Sequence, residues 1–232
     1  MCRGEITSKE KVKLGQKEVR IDEKIYELLY YVPADAVGAA DPTDLDPEDV
    51  PQARVDGVLE LLEGSDDLEN KLRAARLLAN WGSRKGFNYL VYAIEKPHIF
   101  EGFYEHNLRG YDDTFRILLR DLVGYFSCLA DMGLIDEARA EIFNPIKKII
   151  ELSNVKPFEI RGVFRLIEEE GFTEYTPLLR EHLEAITLKP DIHRWKIYDV
   201  LSLLLKVDTD YAISFLKLAG KTLSDFDLKK SH

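Results

Sequence analysis

Apolar residues recur along most of this chain at i, i+3, i+4 and i+7, the spacing that lays one hydrophobic stripe along an α-helix. The pattern is clearest from Asp66 to Glu95, where Leu68, Leu72, Ala75, Leu78 and Ala79 make one stripe and Phe87, Leu90, Val91 and Ile94 a second, with Gly82 between them. Asp66, with Glu69 three positions on, has the form of a capping box, which satisfies the orphan N–H groups of a helix start. Two amphipathic helices joined by a glycine turn are predicted here.

The same alternation extends in both directions. Ile25, Leu28, Leu29 and Val32 predict a short helix within 21–32, ended by Pro33. Residues 33–51 carry four prolines and six acids and read as a loop with turns. Asp46 stands as an N-cap with Pro47 at the first helical position, leading into a stripe of Val55, Val58, Leu59 and Leu62 that Gly64 ends. Lys96 to Asp113 is too long and too aromatic for a simple connection between helices.

A long helix is predicted from Thr114 to Asp131, broken by Gly133, with a partner from Asp136 in which Pro145 predicts a kink or break. Two further pairs follow, Ile160–Ile167 with Tyr175–Ile186, and Ile197–Leu204 with Ala212–Leu218. No alternating run rich in Val or Ile is bounded by turns, so no sheet is predicted.

Charge then separates the two ends of the chain. The net charge is −10, yet residues 32–70 alone hold twelve acids against one base, Arg54. Residues 1–31 come to +1, and the 162 residues from 71 onward are neutral. A local negative surface repels nucleic-acid phosphates and attracts basic protein surfaces. The polar, basic residues 1–20 read as a mobile arm ahead of a single helical domain over 21–232. Cys2 and Cys128 form no CxxC pair, and Cys128 lies in an apolar run, as a buried reduced thiol would. With no run of 18 apolar residues and no secretory signal, a cytoplasmic protein is expected.

The starts of the second helices echo one another: Phe87-Asn88-Tyr89-Leu90, Tyr175-Thr176-Pro177-Leu178 and Ile213-Ser214-Phe215-Leu216, with Phe143-Asn144-Pro145-Ile146 as a fourth. Leu178 and Leu216 lie 38 residues apart, while the earlier separations through Ile146 are 56 and 32. The run Leu72 to Gly82, followed by Gly86-Phe87 and Leu90, resembles a HEAT-type repeat, and Tyr175-Thr176-Pro177-Leu178-Leu179 resembles its second-helix start. Ser83 stands where that class usually has Asp, and the Lys96–Asp113 insertion departs from it. The resemblance implies an all-α, right-handed α-solenoid of about four helix pairs with an N-terminal helix, a class that serves mostly as binding scaffolds.

Candidates for chemistry are sparse. Asp44-Leu45-Asp46-Pro47-Glu48 hints at a calcium loop but lacks the glycine and terminal glutamate such a loop needs. His98 and His106 share the insertion with Glu101 and Glu105 but have no metal-site spacing, so no metal or cofactor is expected. Glu168-Glu169-Glu170 reads as a solvated face and Asp112-Asp113 as a helix-dipole preference. GxSxG, P-loop and GxGxxG signatures are absent, so an enzyme is not expected. HEAT-like DNA glycosylases are the lowest-ranked reading, because Trp81 and Trp195 would need a basic face around them.

The partner-binding candidates are Asp41, Asp44, Asp46, Glu48 and Asp49, with the loop aromatics Phe100, Phe103, Tyr104 and Tyr111. The alternative for the aromatics is that they cover the protein's own apolar seam. The leading expectation is a protein-binding solenoid with a basic partner, in its most specific form an immunity protein that neutralises a toxin. An adaptor that uses the concave helical face is the alternative. Neither nucleic acid nor membrane is an expected partner.

Overall fold

A computed structural model of the protein describes residues 23–106 and 110–226, and the backbone of 12–14 and 17–19. The described body is all-α. Its helices are α1 (Glu23–Leu29), α2 (Gln52–Gly64), α3 (Leu68–Asn80), α4 (Arg84–Glu95), α5 (Pro97–Phe100), α6 (Thr114–Asp131), α7 (Ile135–Ser153), α8 (Arg161–Glu168), α9 (Thr176–Thr187), α10 (Pro190–Val207) and α11 (Thr209–Ala219). A short antiparallel hairpin pairs Val12–Leu14 with Lys17–Val19 ahead of them. The expectation of no sheet fails there, because three-residue strands are too short to show a period of two. The rest of the expected arm lies outside the described residues.

Local rules account for most helix limits. Gly82, Gly133 and Gly171 each adopt a positive φ after a first helix, which glycine accepts without a Cβ clash. Asp67, not Asp66, caps α3, accepting from the N–H groups of Glu69 and Asn70 at 2.8 and 3.1 Å. Asp46 precedes only a single 3-10 turn, Pro47–Asp49, and its side chain makes no cap. Helix α2 begins later, after Pro51, because Pro51 supplies the helix-compatible start one turn on. Helix α7 runs through a buried Pro145 without ending.

Helix α3 lies at the centre, packed on α2, α4 and α6 and touching α1. Residues 72–79 of α3 are all buried, while Leu68, expected in its core stripe, is 42% exposed at the first turn. Beyond it α6 packs on α7, α9 on α10, and α10 on α11. Successive second helices also meet, α4 with α7 and α7 with α9, and α6 meets both α3 and α8. The short α8 lies mainly against α6, so the third pair is looser than its sequence pattern implies. At the far end Ile213 and Leu218 of α11, expected in a core stripe, are 40% and 91% exposed, since no later helix covers them among the described residues.

Two ladders of ion pairs link the stacked helices. Along the second helices, Arg84 pairs with Glu137 and Glu141, Arg139 with Glu174, and Arg180 with Asp208. Along the first helices, Arg76 pairs with Asp121, Arg116 with Glu159, and Arg161 with Asp199. The exposed rungs add little stability each, but together they fix register between neighbours.

Candidate partner-binding surface and the polar networks behind it

The acidic segment divides into carboxylates that hold the fold and carboxylates that face water. Asp41 accepts from the Thr43 N–H and hydroxyl at 3.0 and 2.8 Å and receives the Arg73 guanidinium at 2.7 Å. Burial alone would push its carboxyl up, but Arg73 and the Thr43 donors outweigh that and hold it at about 2. Asp44 closes the turn by accepting from the N–H groups of Ala40 and Asp41 at 3.1 and 2.9 Å. Asp46, Glu48 and Asp49 are exposed, and among the described residues their side chains have no hydrogen bond or ion pair. Asp56 and Glu60 extend the same exposed acidity along α2.

Trp81 explains why this segment is ordered. It is 7% exposed, and its indole N–H donates to the Pro42 carbonyl at 3.2 Å. The Arg54 guanidinium lies 5.5 Å from its ring centroid. The indole therefore pins the acidic segment to the end of α3. Replacing Asp41 with Ala should cost about 1–3 kcal/mol by urea denaturation, because the buried Arg73 and Thr43 lose a half-buried acceptor. Asp46→Ala should stay within about 0.5 kcal/mol of wild type. Equal losses in the two variants would refute this division of roles.

The insertion folds back onto the body. Phe100 is fully buried, with edge contacts to Tyr89, Tyr92 and Phe103 at centroid distances of 6.0, 5.8 and 5.6 Å. It presents no surface to a partner in this conformation. Tyr104 accepts a hydrogen bond from Arg76 at 3.2 Å beneath the guanidinium, and its backbone N–H donates to the Thr114 hydroxyl at 3.1 Å. Phe103 is half-buried, and half-buried Tyr111 packs at a tilt of 36° against His106, with ring centroids 4.7 Å apart. The aromatic and acidic candidates thus do not form one continuous site: the first group is turned largely inward and the second outward.

Two buried networks had no sequence signal. Arg76, 2% exposed, donates through Nε to Asp121 at 2.6 Å, and Asp121 also accepts from the Asn80 amide at 3.1 Å. Burial would lower the Arg76 pKa, but Asp121 and Tyr104 raise it above the ordinary arginine value. At the other end, Lys196 of α10 donates to the backbone carbonyls of Ser153 and, at 3.0 Å, Lys156. His182 bonds Asn154 through Nδ1. A surface groove of about 280 Å³ also separates α8 from α10, lined by Phe164, Tyr198, Arg165 and Lys206 among others.

No group of three or more His, Cys, Asp or Glu side chains among the described residues is arranged to hold a metal ion. Cys128 is buried and free, and burial pushes its thiol up. No helix among the described residues is long and apolar enough to cross a membrane. Set against known protein families, curated proteins and solved structures, the chain matches none.

Proposed function

We propose that this chain is a non-catalytic protein-binding scaffold, a stack of helix pairs whose acidic N-terminal end captures a partner with a basic surface. The observation that carries the reading is the set of exposed, unengaged carboxylates Asp46, Glu48 and Asp49, continued by Asp56 and Glu60 on α2. They stand on turns that Asp41, Asp44 and Trp81 hold in place, so they are presented with little conformational cost on binding. Negative side chains fixed in this way imitate phosphates and steer fast association with a basic site. An immunity protein that neutralises a basic toxin is the specific form of this reading.

The ion-pair register supports a repeat. Arg161–Asp199 and Glu168–Lys206 both join residues 38 apart, matching the Leu178–Leu216 separation. Helices α8 and α10 are therefore parallel and in step, as successive first helices of a solenoid are.

The triple variant D46K/E48K/D49K tests the function, because it leaves Asp41 and Asp44 intact. Affinity purification from the native cells, read by mass spectrometry, should yield a basic protein with wild type. The variant should recover roughly tenfold less of it or lower. Equal recovery would overturn the acidic-surface reading. A second reading, an adaptor, is favoured by the groove between α8 and α10, whose aromatic floor is flanked by exposed Arg161, Arg165 and Lys206. R165E/K206E should abolish capture under that reading and leave it unchanged under the first.

A further inference from the structure

The end of α7 meets α9 and α10 in a junction that concentrates basic groups away from water. Ser153, the last residue of α7, is fully buried, and its carbonyl is one of the orphan acceptors every helix C-terminus carries. The Lys196 ammonium, on a residue 2% exposed, caps that end by donating to Ser153 and Lys156. A cation at a helix C-terminus also complements the helix dipole.

Two imidazoles share this dry space. His182 and His193 are both fully buried. With Nδ1 of His182 donating to the Asn154 side-chain oxygen, Nε2 is left as a buried acceptor with no partner. Neither ring nitrogen of His193 makes a well-formed hydrogen bond, and the nearby Asn154 backbone favours its charged form less than burial and the two lysines oppose it. The charged groups acting on the pair are cations: Lys196 on both rings and Lys189 on His193. Lys156, whose carbonyl Lys196 holds, pairs with Glu101. No carboxylate contributes to the electrostatics of either ring. A proton added to either imidazole therefore places a second charge beside Lys196 with nothing to neutralise it.

We propose that the α7–α9–α10 junction is a pH-sensitive latch: protonation of His182 and His193 releases α10 and α11 from the end of α7. The release is local, because α10 and α11 form the last pair described and the networks around α3 contain no buried histidine. The thermodynamics have one sign. Burial, with Lys196 and His193 nearby, lowers His182 to about 3, and burial, with Lys196 and Lys189 nearby, lowers His193 to about 4. The open state therefore binds more protons between the ordinary imidazole range and about 4, and the closed junction is lost as pH falls through that window. Burial also lowers Lys196 to about 7, against the favourable pull of its two carbonyl acceptors, so its contribution weakens in the same direction from the ordinary lysine range downward.

Hydrogen exchange read by mass spectrometry on the full chain tests the latch. From about pH 7.5 to about pH 5, after correction for intrinsic rates, amides of α10 and α11 should lose protection roughly tenfold more than those of α3 and α6. H182N/H193F, which removes both titrating rings, should erase the difference. Should that variant misfold, NMR titration of the two imidazoles in wild type decides the matter. Rings that stay neutral until the α10 amides open support the latch. Rings that protonate near their ordinary value with α10 still protected, or equal loss of protection throughout the chain, would overturn it.

Discussion

Asp121→Ala should destabilise the protein by about 3–5 kcal/mol, the cost of stranding a buried charge. The carboxylate is fully buried and is the only acidic group within hydrogen-bond reach of Arg76 among the described residues. Its removal leaves a guanidinium 2% exposed with only the Tyr104 hydroxyl, and it also strips the Asn80 amide of one acceptor. A domain of ordinary stability, about 5–15 kcal/mol, would lose a large share of its margin. The double variant R76M/D121L should recover most of that loss, because apolar side chains of similar volume need no desolvation of charge. Urea denaturation of the three proteins measures this directly. A single-variant loss below about 1 kcal/mol would mean that water replaces the carboxylate, and that α3 and α6 are held by apolar packing alone.

The second large effect is expected at Gly86. A Cβ built there would lie 2.5 Å from the Ala79 backbone nitrogen, 2.6 Å from the Leu78 Cβ and 2.7 Å from the Ala75 carbonyl oxygen. Those neighbours are backbone or directly attached to it, so no rotamer change relieves the contact; α4 must move off α3. Gly86→Val should therefore cost about 3 kcal/mol or more, at or beyond the upper end for overpacking. Gly64, the last residue of α2, is the control: nothing lies within 4 Å of its Cβ position. Gly64→Ala should leave stability unchanged or raise it by about 0.4–1 kcal/mol, by reducing the freedom of the unfolded chain. Thermal melts that rank the two variants the other way would contradict the close helix approach.

These two sites mark how far the sequence could be read. Gly86 stood out beside Phe87 as part of a second-helix start, yet its reason, the backbone of α3 within reach of its Cα, involves residues on a different helix. Arg73 and Arg76 were invisible as buried groups. They lie off the Leu72–Ala75–Leu78–Ala79 stripe and read as the solvent face of an amphipathic helix. The structure covers that face from both sides, with Asp41 reaching Arg73 across 32 residues and Asp121 reaching Arg76 across 45. The acidic segment was legible as a charge run, but not its division into structural Asp41 and Asp44 and exposed Asp46, Glu48 and Asp49. That division depends on where Trp81 and Arg73 sit.

The alternation of helices and glycine turns was determined by the sequence alone, because a 3.6-residue period and a positive φ at glycine are local properties. Helix α6 appears within the limits its pattern predicts, and Gly82 and Gly133 stop helices where they were expected to. Tertiary structure decided which polar side chains leave water: Arg76 with Asp121, Asp41 with Arg73, and the His182–His193–Lys196 junction. A charged side chain can be buried at low cost only where a distant partner, or a helix end, receives it. Such partners are chosen by how the helices stack, which no local pattern encodes.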